Sequence, residues 1–165
     1  METQSLIEPL NAILAPRSVA VIGASTTPGK VGHDIFVNIL KGGFTGTLYP
    51  VNPAARSISS VRAYPSIKDV PDEVDLGIVI LPPKAALQSV QDAVARGVKG
   101  IVIVSAGFRE VGPEGRAIED RMVAACREAG VRIIGPNCLG VINPLPAVRM
   151  NASFATKMPK RGNIA

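Results

Sequence analysis

Short apolar, β-branched runs alternate along this chain with stretches whose apolar positions recur every three or four residues. Residues 18–22 (SVAVI) predict a strand buried on both faces. Residues 32–41 place Ile35, Phe36, Ile39 and Leu40 on one side of a helix, and Gly42 and Gly43 end it. Residues 47–51 predict a second strand, in which Pro50 favours an edge or a strand end. Residues 52–74 read as loop with a helical turn near 66–70. A third strand is predicted over 75–81, a helix from Pro83 to Arg96, a fourth strand over 100–104, a helix over 113–129 and a fifth strand over 131–134.

Strands that are apolar on both faces and separated by helices indicate a parallel sheet covered on each side. The expected fold is α/β, a Rossmann-like doubly wound parallel sheet with helices on both faces. Ligands of such folds bind at the carboxyl ends of the strands, near the switch point. Here those ends are the loop from Gly23, then Val51, Asn52 and Pro53, then Leu81, Pro82 and Pro83. Ser105, Ala106 and Gly107 follow the fourth strand, and Gly135, Pro136 and Asn137 follow the fifth. The expected organisation is an N-terminal extension over 1–17, the sheet domain over 18–144, and a linker over 145–165. That linker holds Pro146, Pro159 and a basic stretch from Lys157 to Arg161. It ends in residues 162–165, which read as the start of a further strand leading to an absent second domain.

At 165 residues, one domain with a real core is expected, and a hydrophobic share of 47% excludes disorder. No apolar run is long enough for a membrane helix, and the first residues lack a signal-peptide pattern, so the expected location is cytoplasmic. Cys126 and Cys138 make no disulfide framework and no CxxC pair, and a single histidine, His33, excludes a His-rich metal site. The net charge of +5 comes from scattered basic residues, and aromatics are only 4%. The chain therefore has no stacking platform for nucleic acid, and the charge suits a small polyanion or a solvated surface.

The loop between the first strand and its helix carries the clearest chemistry. Gly23, Ala24, Ser25, Thr26, Gly29, Lys30, Val31 and Gly32 form a small-residue turn at a helix N-terminus, where backbone N–H groups and the helix dipole favour phosphate. Ser25, Thr26 and Thr27 add hydroxyls and Lys30 adds charge. GxGxxG fails at Ser25. Walker A fails too, because five residues separate Gly23 from Gly29 and Val31 replaces the magnesium-binding hydroxyl. At the end of the second strand, Val51, Asn52 and Pro53 offer no acid for free ribose hydroxyls, and Arg56 is close by. This suits a ribose bearing a phosphate, as in NADP(H) or coenzyme A.

Residues 19–25 (VAVIGAS), 29–32 (GKVG), 49–53 (YPVNP), 63–66 (AYPS), 106–108 (AGF) and 135–140 (GPNCLG) occur in that order. Together they resemble the CoA-binding domain of ADP-forming acyl-CoA synthetases, and more distantly succinyl-CoA synthetase alpha subunits. The same domain occurs in some bacterial protein acetyltransferases. The resemblance runs from about Leu10 to Ala165 and implies coenzyme A or acyl-CoA as the ligand. It implies that the Gly23–Gly32 loop meets the pyrophosphate and that Asn52 and Pro53 lie by the adenosine end. Leu81, Pro82, Pro83, Ser105, Ala106 and Gly107 would line the pantetheine, and Asn137 and Cys138 would approach the thiol.

The family reaction interconverts acyl-CoA, ADP and phosphate with acid, CoA and ATP through a phosphohistidine on a following domain. His33 does not match that histidine, so the chain is expected to bind CoA without a catalytic residue of its own. The expected partners are the phosphohistidine and ATP-grasp domains, not nucleic acid or membrane, with a homo-oligomer left open. An NADP-binding oxidoreductase module and a stand-alone CoA sensor are the other readings. Cys138 has no adjacent base, and Ser25 lacks the second histidine that a triad would need. His33 is read as a rim or capping residue, and Glu110 and Glu114 as acids at a solvated helix start.

Overall fold

The computed structural model describes residues 10–160 and 162. Five strands build one parallel sheet. They are β1 (Ser18–Ile22), β2 (Thr47–Val51), β5 (Leu76–Val79), β6 (Gly100–Ile103) and β7 (Arg132–Ile134), in the order β2-β1-β5-β6-β7. Every pairing is parallel, with Val19 opposite Leu48 on one side and Leu76 on the other. β2 lies at the sheet edge, where Pro50 is tolerated because no inner ladder needs its missing N–H.

Three helices cross over the sheet: α1 (Val31–Gly42), α2 (Pro83–Ala95) and α3 (Pro113–Glu128). α1 buries Ile35, Phe36 and Ile39 against Val19, Val21, Leu76 and Ile78 on one face. α2 and α3 bury Ala86, Leu87, Val90, Met122 and Cys126 against Ala20, Ile22, Ile101 and Ile103 on the other. The chain therefore changes faces between β1 and β5, and the loops after these two strands diverge there. The doubly wound parallel sheet with helices on both faces is the fold expected from the alternation of elements. No helix among the described residues is long and apolar enough to cross a membrane.

Three segments differ from their sequence reading. Residues 145–165 are not linker throughout: β9 (Met150–Ser153) pairs antiparallel with β8 (Gly140–Asn143) and lies along α1. Met150 and Ala152 are buried in the α1-side core. The polar residues of β9 are buried as well, with the Ser153 hydroxyl donating to Asn151 Oδ1 at 2.7 Å. Asn38 of α1 donates to the carbonyls of Ser153 and Ala155 at 2.8 and 3.0 Å. Two polar residues that satisfy each other hide a buried strand from any hydropathy pattern.

In the stretch read as loop, β3 (Ser57–Ile58) and β4 (Val61–Arg62) form an unexpected short hairpin, while the 3-10 turn over Ile67–Asp69, capped by Ser66, is the helical turn expected near 66–70. In the expected N-terminal extension, residues 10–14 are helical, and Ala12 and Ile13 are buried. Of the strand start expected over 162–165, residues 163–165 lie outside the described residues, as does Arg161 of the basic stretch.

At the amino end of the sheet, Asp75 is buried at 6% exposure. It accepts from the Arg17 N–H at 2.9 Å and from Lys99 Nζ at 2.7 Å. Burial pushes its carboxyl upward, but the Lys99 and Arg17 hydrogen bonds and charges outweigh this and hold it below the usual range. A depressed folded-state pKa contributes stability above the unfolded value, near 3.9, and that contribution is lost as pH falls through the folded value. Asp75→Asn is therefore expected to lower stability at pH 7 by about 1–3 kcal/mol. In urea melts across pH, the gap to the unsubstituted protein should close below about pH 4. A gap that persisted to pH 2 would contradict this account.

Candidate functional site

The site begins where three stretches of backbone meet at the carboxyl edge of the sheet. Gly23 leaves β1 at φ +94°, and a Cβ there would overlap the Ile80 carbonyl of the neighbouring strand exit. A Cβ at Gly32, in the first turn of α1, would overlap the Gly23 carbonyl. Two glycines thus let the helix sit directly on the turn that feeds it. Gly29 also has positive φ, +81°, but open space around it, so its role is backbone conformation alone.

Inside this turn the loop is tied by its own side chains. Ser25 Oγ accepts from the Thr27 N–H at 3.1 Å, and Asp34 Oδ1 accepts from the Gly29 N–H at 3.2 Å. His33 Nδ1 lies 3.1 Å from that same Asp34 oxygen, so the lone histidine braces the loop. Among the described residues, the amides of Ser25, Thr26, Val31 and Gly32 carry no hydrogen bond. Lys30 makes no ion pair among them and is exposed. Unsatisfied N–H groups at the positive end of a twelve-residue helix, beside a free ammonium, form a cradle for an anion.

A cleft of about 460 Å³ opens from this cradle. One wall carries Gly23, Ala24, Ser25 and Lys30, and another carries Val51, Asn52 and Pro53 of the β2 exit. Leu81, with Ile80, comes from the β5 exit. Eight of the sequence-predicted residues therefore share one cavity. Asn52 serves the protein here. Its Nδ2 donates to the Ala24 carbonyl at 2.7 Å, and its Oδ1 accepts from the Ala54 N–H at 2.8 Å. It pins the glycine loop to the β2 exit across the cleft.

The other predicted residues spread along the edge. Pro82, Pro83 and Gly107 line a second cavity, of about 430 Å³, with Val111, Pro113 and Ile118 between the starts of α2 and α3. Ser105 and Ala106 follow β6, and the Ser105 carbonyl accepts from the Asn137 N–H at 2.9 Å, joining the last two strand exits. Cys138 donates to the Ile103 carbonyl at 3.2 Å, and burial pushes its thiol above the ordinary range. Thr26 and Gly29 lie on the outer part of the glycine loop, and Val31 and Gly32 open α1. Arg56 is exposed before β3 and lines neither cavity.

The loop after β6 is fixed by acids. Glu110 accepts from the Gly107 and Phe108 N–H groups at 2.6 and 3.2 Å, and the Gly107 bond above all holds its carboxyl below the usual range. Buried Glu119 pairs with Arg109. Among the described residues, Glu114 meets Lys84 alone, at 3.5 Å, on the surface.

Sequence reasoning missed the far wall of the cleft. Pro65, Ser66 and Ile67 come from the stretch read as loop, and Ala85, Ser89 and Asp92 come from α2. The spacing 85, 89, 92 marks one helical stripe. Nothing in the sequence shows that this stripe faces the β2 exit rather than solvent.

The fold and cleft define a doubly wound domain with an anion cradle and an adjoining cleft at its switch point. The CoA binding domain family matches residues 17–144, and the chain belongs to that family. It is 44% identical over 156 residues to the alpha subunit of acetate--CoA ligase [ADP-forming] II of Pyrococcus furiosus, covering 94% of this chain and 33% of the relative. It is 38% identical to 4-hydroxybutyrate--CoA ligase [ADP-forming] of Nitrosopumilus maritimus, covering 93% of this chain and 22% of that one. The dinucleotide-forming acetyl-coenzyme A synthetase 1 of Ca. Korarchaeum cryptofilum superposes with a TM-score of 0.86 at 37% identity, over 93% of this chain and 33% of that one. The chain thus spans a third or less of the length of these relatives.

The glycine geometry sets up a clean test of sign. Alanine favours a helix over glycine by about 1 kcal/mol, so Gly32→Ala should stabilise if propensity ruled. Overlap with the Gly23 carbonyl predicts the opposite, a loss of roughly 2 kcal/mol or more in chemical denaturation. A stabilised variant would show that the helix does not rest on the turn.

Proposed function

We propose that this chain is the CoA-holding domain of an ADP-forming acyl-CoA synthetase. The cradle of unsatisfied amides at the start of α1, beside unpaired Lys30, carries the reading. It takes the pyrophosphate, and the nucleoside end extends into the 460 Å³ cleft between the β2 exit and α2. The pantetheine arm leaves past Leu81 toward the apolar cavity at Pro82, Pro83 and Gly107. Its thiol is thereby presented at the carboxyl edge, for acyl transfer at a site formed by the remainder of a longer synthetase.

The residues fit this division of labour. Binding rests on backbone N–H groups and one ammonium, which hold phosphate oxygens without chemistry. Cys138 stays a thiol at neutral pH, because burial raises its pKa, so it is not a ready nucleophile. His33 is engaged with Asp34. Acyl selectivity and phosphoryl transfer then belong to the other parts of such enzymes.

Calorimetric titration with CoA, acetyl-CoA and NADP(H) in parallel tests the proposal. One-to-one binding of CoA and acetyl-CoA without NADP(H) is expected. Lys30→Ala should weaken CoA about threefold to tenfold, through one lost charge-assisted hydrogen bond. Its melting temperature should not move, because the Lys30 side chain makes no hydrogen bond or ion pair among the described residues. NADP(H) binding in place of CoA would transfer the domain to the oxidoreductases, and unchanged CoA affinity in Lys30→Ala would remove the Lys30 ammonium from the site.

A further inference from the structure

One side chain alone orients a peptide in the wall of the second cavity. The loop after β6 has a glycine at positive φ at each end, Gly107 at +105° and Gly112 at +123°. Between them the loop is anchored twice. Phe108 is fully buried and carries α3, because a Cβ at Gly115 would overlap the Phe108 carbonyl. Arg109 is paired with buried Glu119. Gly107, which lines the cavity with Pro83, lies outside these anchors, next to exposed Ala106. A glycine there leaves its flanking peptides free to turn. Among the described residues, the Gly107 N–H has one partner, Glu110 Oε1 at 2.6 Å, and the Ala106 carbonyl has none. The next peptide follows the same rule. The Phe108 N–H donates to Glu110 Oε2 at 3.2 Å, and the Gly107 carbonyl accepts nothing among the described residues.

In a planar trans peptide the C=O and the N–H point to opposite sides. Drawing two successive N–H groups onto Glu110 therefore turns the Ala106 and Gly107 carbonyls away from it. We propose that Glu110 is a positioning residue for the arm of the ligand: by holding the Gly107 and Phe108 N–H groups, it presents the Ala106 and Gly107 carbonyls as preformed acceptors for secondary-amide N–H groups. The inference rests on the CoA reading above, in which the pantetheine arm reaches the cavity at Gly107. That arm carries two amide N–H groups, which leave water on binding and need acceptors. Acceptors already oriented spare the ligand the cost of ordering the loop. The charge of Glu110 strengthens both of its bonds, and those bonds, the Gly107 one above all, hold its carboxyl below the usual range, so it is ionised at neutral pH. Both of its oxygens are spent on backbone although the side chain is exposed.

The test compares CoA with adenosine 3′-phosphate 5′-diphosphate, the same nucleotide without the arm, by calorimetry on the full 165-residue chain. The unsubstituted protein should bind CoA more tightly, and the ratio of the two affinities measures what the arm contributes. In Glu110→Ala, CoA should weaken about tenfold while the armless nucleotide is held as before. Glu110→Gln keeps an acceptor oxygen for one of the two N–H groups, so its CoA affinity should return to within about threefold of the unsubstituted protein. A cap that only stabilises the loop would lower the melting temperature and leave the ratio intact, which would overturn the proposal. Equal weakening of both ligands in Glu110→Ala would also overturn it, as would a glutamine variant no better than alanine. Equal binding of the two ligands by the unsubstituted protein would sink the inference while leaving the phosphate cradle standing, and that comparison needs no variant to fold. Binding of neither ligand would overturn the CoA reading and this inference together.

Discussion

The structure depends on a single steric constraint, the meeting of three backbones at the start of α1. Gly32 must rest on the carbonyl of Gly23, and Gly23 must in turn rest on the carbonyl of Ile80. No side chain fits at either contact. This close packing fixes the direction of α1 relative to β1 and aims its free N–H groups across the carboxyl edge of the sheet. It also sets the separation of the β1 and β5 exits, and the cleft opens between them because the chain turns to opposite faces there. A binding site made of backbone needs no charged residue in its floor. One cation at its rim suffices, and Lys30 supplies it.

The rest of the molecule holds that arrangement rigid. Asn52 ties the glycine loop to the β2 exit with both ends of its amide. Asp34 and His33 close the loop from the helix side. Glu110 and Glu119 do the same for the loop after β6, and the Asn137 to Ser105 bond links the last two exits. Polar residues that looked available for ligand contact are in several cases already in use within the protein. What remains open to a ligand is mostly amide N–H groups and the Lys30 ammonium.

The α1 face of the sheet is covered unevenly, by one helix, residues near Ile13 and the β8–β9 hairpin. Asn38 ties the hairpin to α1 through the Ser153 and Ala155 carbonyls, and Asn151 and Ser153 satisfy their own polar groups within the hairpin, where a second helix would make apolar contacts. The strand before residue 160 is therefore held to the same helix whose N-terminus forms the anion cradle.

The sequence by itself determined the sheet, the crossovers and the glycine loop. Each of these is written in local terms: two-sided apolar strands, helical periodicity, and glycines where a strand turns into a helix. It also gathered the candidate site residues along one edge, because parallel strands put all their exits on one side. Tertiary structure alone decided the far wall of the cleft, the β9 strand and the use of Asn52. The stripe of Ala85, Ser89 and Asp92 faces the cleft only because α2 packs beside the 3-10 turn at Ile67. β9 is buried although two of its four residues are polar, because Asn151 and Ser153 satisfy each other. These are pairings between residues distant in sequence or hidden by hydrogen bonding. A pattern read along one chain registers what each residue prefers, and it cannot register which partner has already met that preference.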